Sequence, residues 1–182
     1  MSLELLGGRI LAPWFGSSIY VWGSIITVFM LSLSVGYFIG GRLSLRTPSL
    51  AKFGCLFLVA AVILVPIVYL AEPVMVWVFE RIEDPRYGSL AASLALFVAP
   101  TVVLGTISPY SVRLLVRHKE ESGKVAGTLY FVSTLGSALG TLATSFYFVL
   151  WFEMNTIVAV LGGILLLLGA LGVVCRRLDR HA

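Results

Sequence analysis

Charge is what this sequence has least of. Of its 182 residues only 12% are Asp, Glu, Lys or Arg, while 59% are hydrophobic; a soluble domain carries about a quarter charged residues. So little charge cannot clothe a water-exposed fold, and the apolar excess is what lipid-facing helices require. Histidine is nearly as scarce: His118 and His181 stand alone, with no metal-ligand spacing around them. The two cysteines, Cys55 and Cys175, fall at the ends of apolar runs and have no chelating neighbours, which argues against a disulfide or a metal site.

Further absences narrow the function. No acid, base or histidine lies in the middle of any apolar run, which argues against a proton-driven pump. No Ser-His-Asp set is available. The glycine pairs in LGGRI, IGGRL and LGGIL neither follow a strand nor precede a suitable acid, so they read as a turn, a helix terminus and a packing surface. The net charge of +4 has no basic-aromatic motif behind it, so nucleic acid is not an expected partner. No catalytic residue, cofactor or metal is expected.

What is present is a series of long apolar stretches. Ser24–Leu43, SIITVFMLSLSVGYFIGGRL, runs about twenty residues before its first charge, Arg42, long enough to cross a bilayer. Its Ser32, Gly36 and Gly40 repeat at four-residue spacing, leaving one face nearly bare backbone for close helix contact. Further spans are predicted at 53–71, 89–108, 125–151 and 156–175, with the first at 19–40. Residues 72–88 either extend the second span or form a surface helix. The fourth span carries a second small-residue row, Gly136, Gly140 and Thr144, and the hydroxyls of Ser133, Thr134, Ser137, Thr141 and Ser145. Both rows suit bundle contacts, a lined cavity or a homodimer seam.

Residues 1–18 are too short and too interrupted to span, and the sequence predicts an interfacial segment lying on the outer face. Its charges, Glu4 and Arg9, either pair, meet a polar partner or stand solvated at the interface. Ten of the thirteen Lys and Arg residues fall on alternate, inner segments; the positive-inside rule then predicts five transmembrane helices with the N-terminus outside and the C-terminus, including the basic tail 176–182, in the cytoplasm. The expected location is the cell (inner or plasma) membrane, multi-pass. The basic loops serve chiefly as orientation signals, with anionic-lipid contact or docking of a soluble partner at Arg42, Arg113 and Arg117 as the alternative.

These residues also carry a resemblance. LELLGGRILAPWFGSSIYVWGSIITVFMLSLSVGYFIGGRLSLR, LGTISPYSVRLL and GKVAGTLYFVSTLGSALGTLATSFYF, in that order, resemble the membrane region of membrane-bound spermidine-synthase-like (aminopropyltransferase) proteins over about Leu3 to Leu171. That region is itself similar to half of a major facilitator superfamily transporter. The resemblance places Glu4, Arg9, Pro13, Gly16 and Ser18 on the family's first outer pattern, extended by Tyr20 and Trp22. Gly36, Gly40, Gly41 and Arg42 fall on its inner loop, Pro109 and Arg113 on its third-helix exit, and Gly127, Tyr130, Gly136 and Gly140 on the following helix. It implies a half-transporter bundle lacking its first helix, with Glu4, Arg9, Ser18 and Tyr130 as candidate functional polar residues. The family's soluble catalytic domain has no counterpart in these residues. The expected function is therefore a non-catalytic module anchoring or serving a separate aminopropyltransferase-like partner. The alternative is a small homo-oligomeric transporter or lipid-handling protein, for polyamines or other cations.

Overall fold

The computed structural model describes residues 1–45, 48–116 and 118–179, and every regular element among them is helical. In chain order these are α1 (Ser2–Phe15), α2 (Ile19–Ser44), α3 (Leu50–Leu64), α4 (Ile67–Phe79), α5 (Pro85–Leu115), a 3-10 turn (Lys119–Glu121), α6 (Ser122–Ala143), a π-helical turn (Thr144–Phe148), α7 (Val149–Trp151) and α8 (Met154–Asp179). Four runs, α2, α5, α6 through α7, and α8, are long and apolar enough to cross a membrane. Helices α3 and α4, bent by 45° at the break that holds Pro66, make a fifth if counted as one span. Residues 72–79 are helical and belong to α4. Arg46, Arg117 and the tail's last three residues lie outside the described set.

Two seams hold the bundle. At the first, α2 meets α5 along the predicted small-residue row. Ser32, Gly36 and Gly40 are all buried there. A Cβ on Gly36 would run into the Val102 carbonyl and lie 2.8 Å from the Gly105 Cα, and one on Gly40 would strike the Thr106 backbone. Opposed small residues let the backbones touch, and in lipid that van der Waals contact replaces the hydrophobic drive available in water. The second seam joins α3 to α8, where a Cβ on Gly54 would sit 2.7 Å from the Gly169 carbonyl oxygen and 2.9 Å from the Val173 nitrogen.

Helix starts follow familiar chemistry. Asp84 caps α5 by accepting from the Arg86 N–H at 2.9 Å, with Pro85 at the first helical position. Ser49 caps α3 through the Lys52 N–H. The Ser49 N–H in turn donates to the buried Tyr110 hydroxyl at 3.1 Å, tying α3 to α5, and the Tyr110 ring stacks on Phe53.

The first segment departs from the surface-lying expectation. Helix α1 sits inside the bundle against α2, α4, α5 and α6, with Leu3, Leu6, Leu11 and Phe15 buried. The reason is local and steric. Gly7 leaves room for the Phe97 ring, and Gly8 for the Trp22 indole, so both neighbours close onto the α1 backbone. Phe15 lies against Gly88 and Phe79 at one end of the bundle, while Ser2 reaches Gly140 and Thr144 well inside it. Gly16, at a φ of 76°, turns the chain from α1 into α2 in a conformation that glycine adopts without strain.

Candidate functional site

One end of the bundle carries Glu80, Arg81, Glu83, Asp84, Arg86 and Glu153; the other carries Arg42, Lys52, Arg113 and Lys124 with Glu120 and Glu121, all exposed. Between these ends, opening on the basic half, lies a cleft of about 1100 Å³. Helices α2, α3 and α5 form one wall and α6 the other. Its polar lining consists of the hydroxyls of Ser108, Ser111, Ser133, Thr134, Ser137 and Thr141 and the phenols of Tyr37 and Tyr130, with Phe53 and Phe57 completing four aromatic rings. Among the described residues no charged side chain lines it. A second cavity of about 360 Å³ adjoins Met1, Ser2 and Leu3 between α1, α6 and α8.

The hydroxyls and ring faces of this cleft can hydrogen-bond and stack. Hydroxyls satisfy part of their bonding on helix carbonyls, as Ser111 does with Ile107 at 2.7 Å, and keep an acceptor for a guest. The aromatic faces suit a flat or cationic group.

The sequence-derived residues distribute unevenly about this cleft. Tyr130 lines it. Glu4 is half-buried on α1 and makes no ion pair or hydrogen bond among the described residues. Glu4 lies outside the helices long and apolar enough to cross a membrane. Arg9 does not pair with Glu4; it donates to the Val149 carbonyl at 3.2 Å, close to the end of α7, where the helix leaves carbonyls without internal partners. Ser18 precedes α2 without a side-chain cap bond. Arg42 stacks over Phe38 at 4.1 Å and Arg113 is exposed near the end of α5.

The packing residues divide. Ser32, Gly36 and Gly40 form the α2–α5 seam, whereas a Cβ on Gly136 would meet nothing within 4 Å and one on Gly140 would meet only Ser2. The second row is no helix seam within this chain, because no small-residue face stands opposite it. Sequence reasoning missed Ser2, whose hydroxyl donates to the Gly140 carbonyl at 3.3 Å and accepts from Thr144 at 3.0 Å. A lone serine at the start of an apolar helix carries no signal of such a contact.

The described residues form an all-helical fold with several helices suited to a membrane and a cleft lined by hydroxyls and aromatic rings. In comparisons with protein-family models, curated proteins and solved structures, nothing matches this chain.

Proposed function

We propose that the chain is a transport or lipid-handling membrane protein that works as an assembly of two copies, each contributing its cleft to a shared path. The supporting observation is α6: not one residue from Ser122 to Ala143 is buried, yet this helix supplies the most hydroxyls to the cleft wall. A wall polar on one side and open on the other is suited to completion by a second polypeptide. The hydroxyls and ring faces among the described lining residues suit an amphipathic solute, or an organic cation held by ring faces.

Native mass spectrometry of protein extracted gently from its own membranes tests this reading. An assembly at twice the 19.7 kDa chain mass supports it. A strictly monomeric protein that also leaves polyamine flux into liposomes unchanged overturns it.

A second reading rests on the exposed Arg42, Arg113 and Lys124 at one end of the bundle. There the chain anchors a soluble aminopropyltransferase-like protein, in keeping with the resemblance to spermidine-synthase-like membrane regions. Co-purification of a soluble protein of synthase size, released by Arg113→Gln, selects this reading over the first.

A further inference from the structure

Four adjoining cavities follow one another along α6. At the basic end, one of about 420 Å³ lies between Leu115 of α5, Glu121 and the first turns of α6. It shares Leu129 and Val132 with the large cleft, and the cleft shares Met1, Leu104, Ser133 and Ser137 with the cavity beside α1. That cavity in turn shares Ser2, Leu161 and Ile164 with a fourth, of about 270 Å³. The fourth reaches Phe152 and Thr156, on either side of Glu153 in the sequence, at the acidic end. The series follows from how α6 is held: it packs closely on α1 and α5, which leaves spaces toward α2, α3 and α8.

A polar row runs the same way. Ser133, Ser137, Thr141 and Thr144 recur every three or four residues, on one side of the helix, and each lines one of these cavities. Thr128 stands in the first cavity and Thr156 in the last. From Thr128 to Thr144 the helix rises about 24 Å, most of a hydrocarbon core of roughly 30 Å. A polar group without partners is costly in lipid, and hydroxyls about a turn apart offer a passing one a fresh partner at each step. No residue of α6 is buried, which leaves the row accessible from the flank of the bundle as well as from its ends.

The first cavity also holds the charges that select a solute. Lys124 and Glu121, both exposed, line it together with the apolar Leu115, Val125 and Leu129. A cation for a phosphate, a carboxylate for an ammonium and apolar side chains beside them match the head of a zwitterionic phospholipid. A headgroup carrying the phosphate alone meets Glu121 as a like charge.

We propose that these cavities form one groove along which the headgroup of a zwitterionic glycerophospholipid crosses the bilayer, while its acyl chains stay in the surrounding lipid. Such exchange equilibrates the two leaflets. The inference names the solute of the proposed function and rests on its lipid-handling reading, but not on the number of copies.

The test reconstitutes the full chain into vesicles of phosphatidylethanolamine and phosphatidylglycerol with a trace of phosphatidylethanolamine carrying an NBD dye on its acyl chain. Dithionite added outside bleaches only the outer leaflet of protein-free vesicles; with the protein, nearly all of the fluorescence is expected to be lost. Phosphatidylglycerol labelled in the same way is expected to exchange several-fold more slowly. Ser133→Leu with Ser137→Leu, at two positions that are not buried, fills the groove and removes two hydroxyls. Exchange should slow by roughly tenfold or more, the scale of two lost hydrogen bonds. Leu135→Ala, at an exposed position outside these cavities, should leave the rate unchanged.

Folded protein that exchanges no lipid overturns the proposal. So does a double variant of unchanged melting temperature that exchanges as fast as the parent. If the double variant misfolds, the nearly isosteric Thr141→Val carries the same test with a smaller slowing, and an unchanged rate is again fatal. Bleaching of a water-soluble dye trapped inside the vesicles reveals an aqueous pore and overturns the lipid groove; equal rates for the two lipids overturn the zwitterionic assignment. Native mass spectrometry separates this inference from the proposed function. A dimer that exchanges no lipid removes the groove alone, whereas a monomer that does exchange lipid removes the shared path and leaves the groove.

Discussion

Helices α2 and α6 carry the same small-residue spelling and meet opposite fates. The row Ser32, Gly36 and Gly40 is buried against α5, whereas Gly136 faces open space and Gly140 meets one serine. The difference lies in the partner. Gly105 and Thr106 on α5 present a surface as shallow as that of α2, so the two backbones interlock; no described helix offers such a surface to α6. A small-residue row is half of an interface, and the other half decides whether it packs.

The same substitution placed in both rows gives the sharpest break of this comparison. Gly36→Leu forces α2 from the Val102 carbonyl and the Gly105 Cα; overpacking of this kind costs about 1–3 kcal/mol, and more where backbone must move. Thermal unfolding in mild detergent should fall by about 2–4 °C per kcal/mol lost, and folded yield should drop with it. A Gly36→Leu protein as stable as the parent would dissolve the α2–α5 seam as described.

Phe97→Ala removes the ring that rests on Gly7 and packs at a tilt against Phe29, centroids 5.4 Å apart, so it tests whether α1 belongs to the packed side of the comparison. A loss of about 3–5 kcal/mol is expected, together with faster hydrogen exchange across α1. Exchange on α1 that is fast already in the parent would place this helix outside the packed core.

Tyr110→Phe deletes one hydroxyl between α5 and Ser49 and leaves the ring stacked on Phe53. The expected cost is about 1 kcal/mol, read as a small shift in melting temperature. The smallest effect belongs to Gly136→Leu. With nothing within 4 Å of the new side chain's root, the monomer should change by no more than about 0.5 kcal/mol, with a gain where the better helix former tells. A loss as large as that of Gly36→Leu would mean that the α6 row is covered after all, and native mass spectrometry of the same variant would show by what.

The sequence exposed the spans and the α2 row because both are properties of a single segment: run length, spacing, and the lack of charge between Ser24 and Gly41. It did not expose the burial of α1, since that depends on Gly7 and Gly8 finding Phe97 and Trp22 from other helices. Composition alone favoured an interfacial strip. The cleft was half legible. Ser133, Ser137 and Thr141 repeat along one face of α6, but Ser108, Ser111, Tyr37 and Phe53 join them only through the crossing of four helices. The π-helical turn left no trace, as TSFYF contains neither proline nor glycine to mark a break.

The seam between α3 and α8 also sets a timetable. Gly54 and Gly172, whose backbones meet there, are 118 positions apart (172 − 54). A ribosome adding about 5–20 residues per second needs roughly 6–24 s to cover that distance. Throughout that interval Gly54 on α3 lacks the α8 backbone that later covers it, while α2 and α5, closer in sequence, can already have joined. The first seam is thus available to the growing chain early, and the second closes the bundle only once its last described helix has been made.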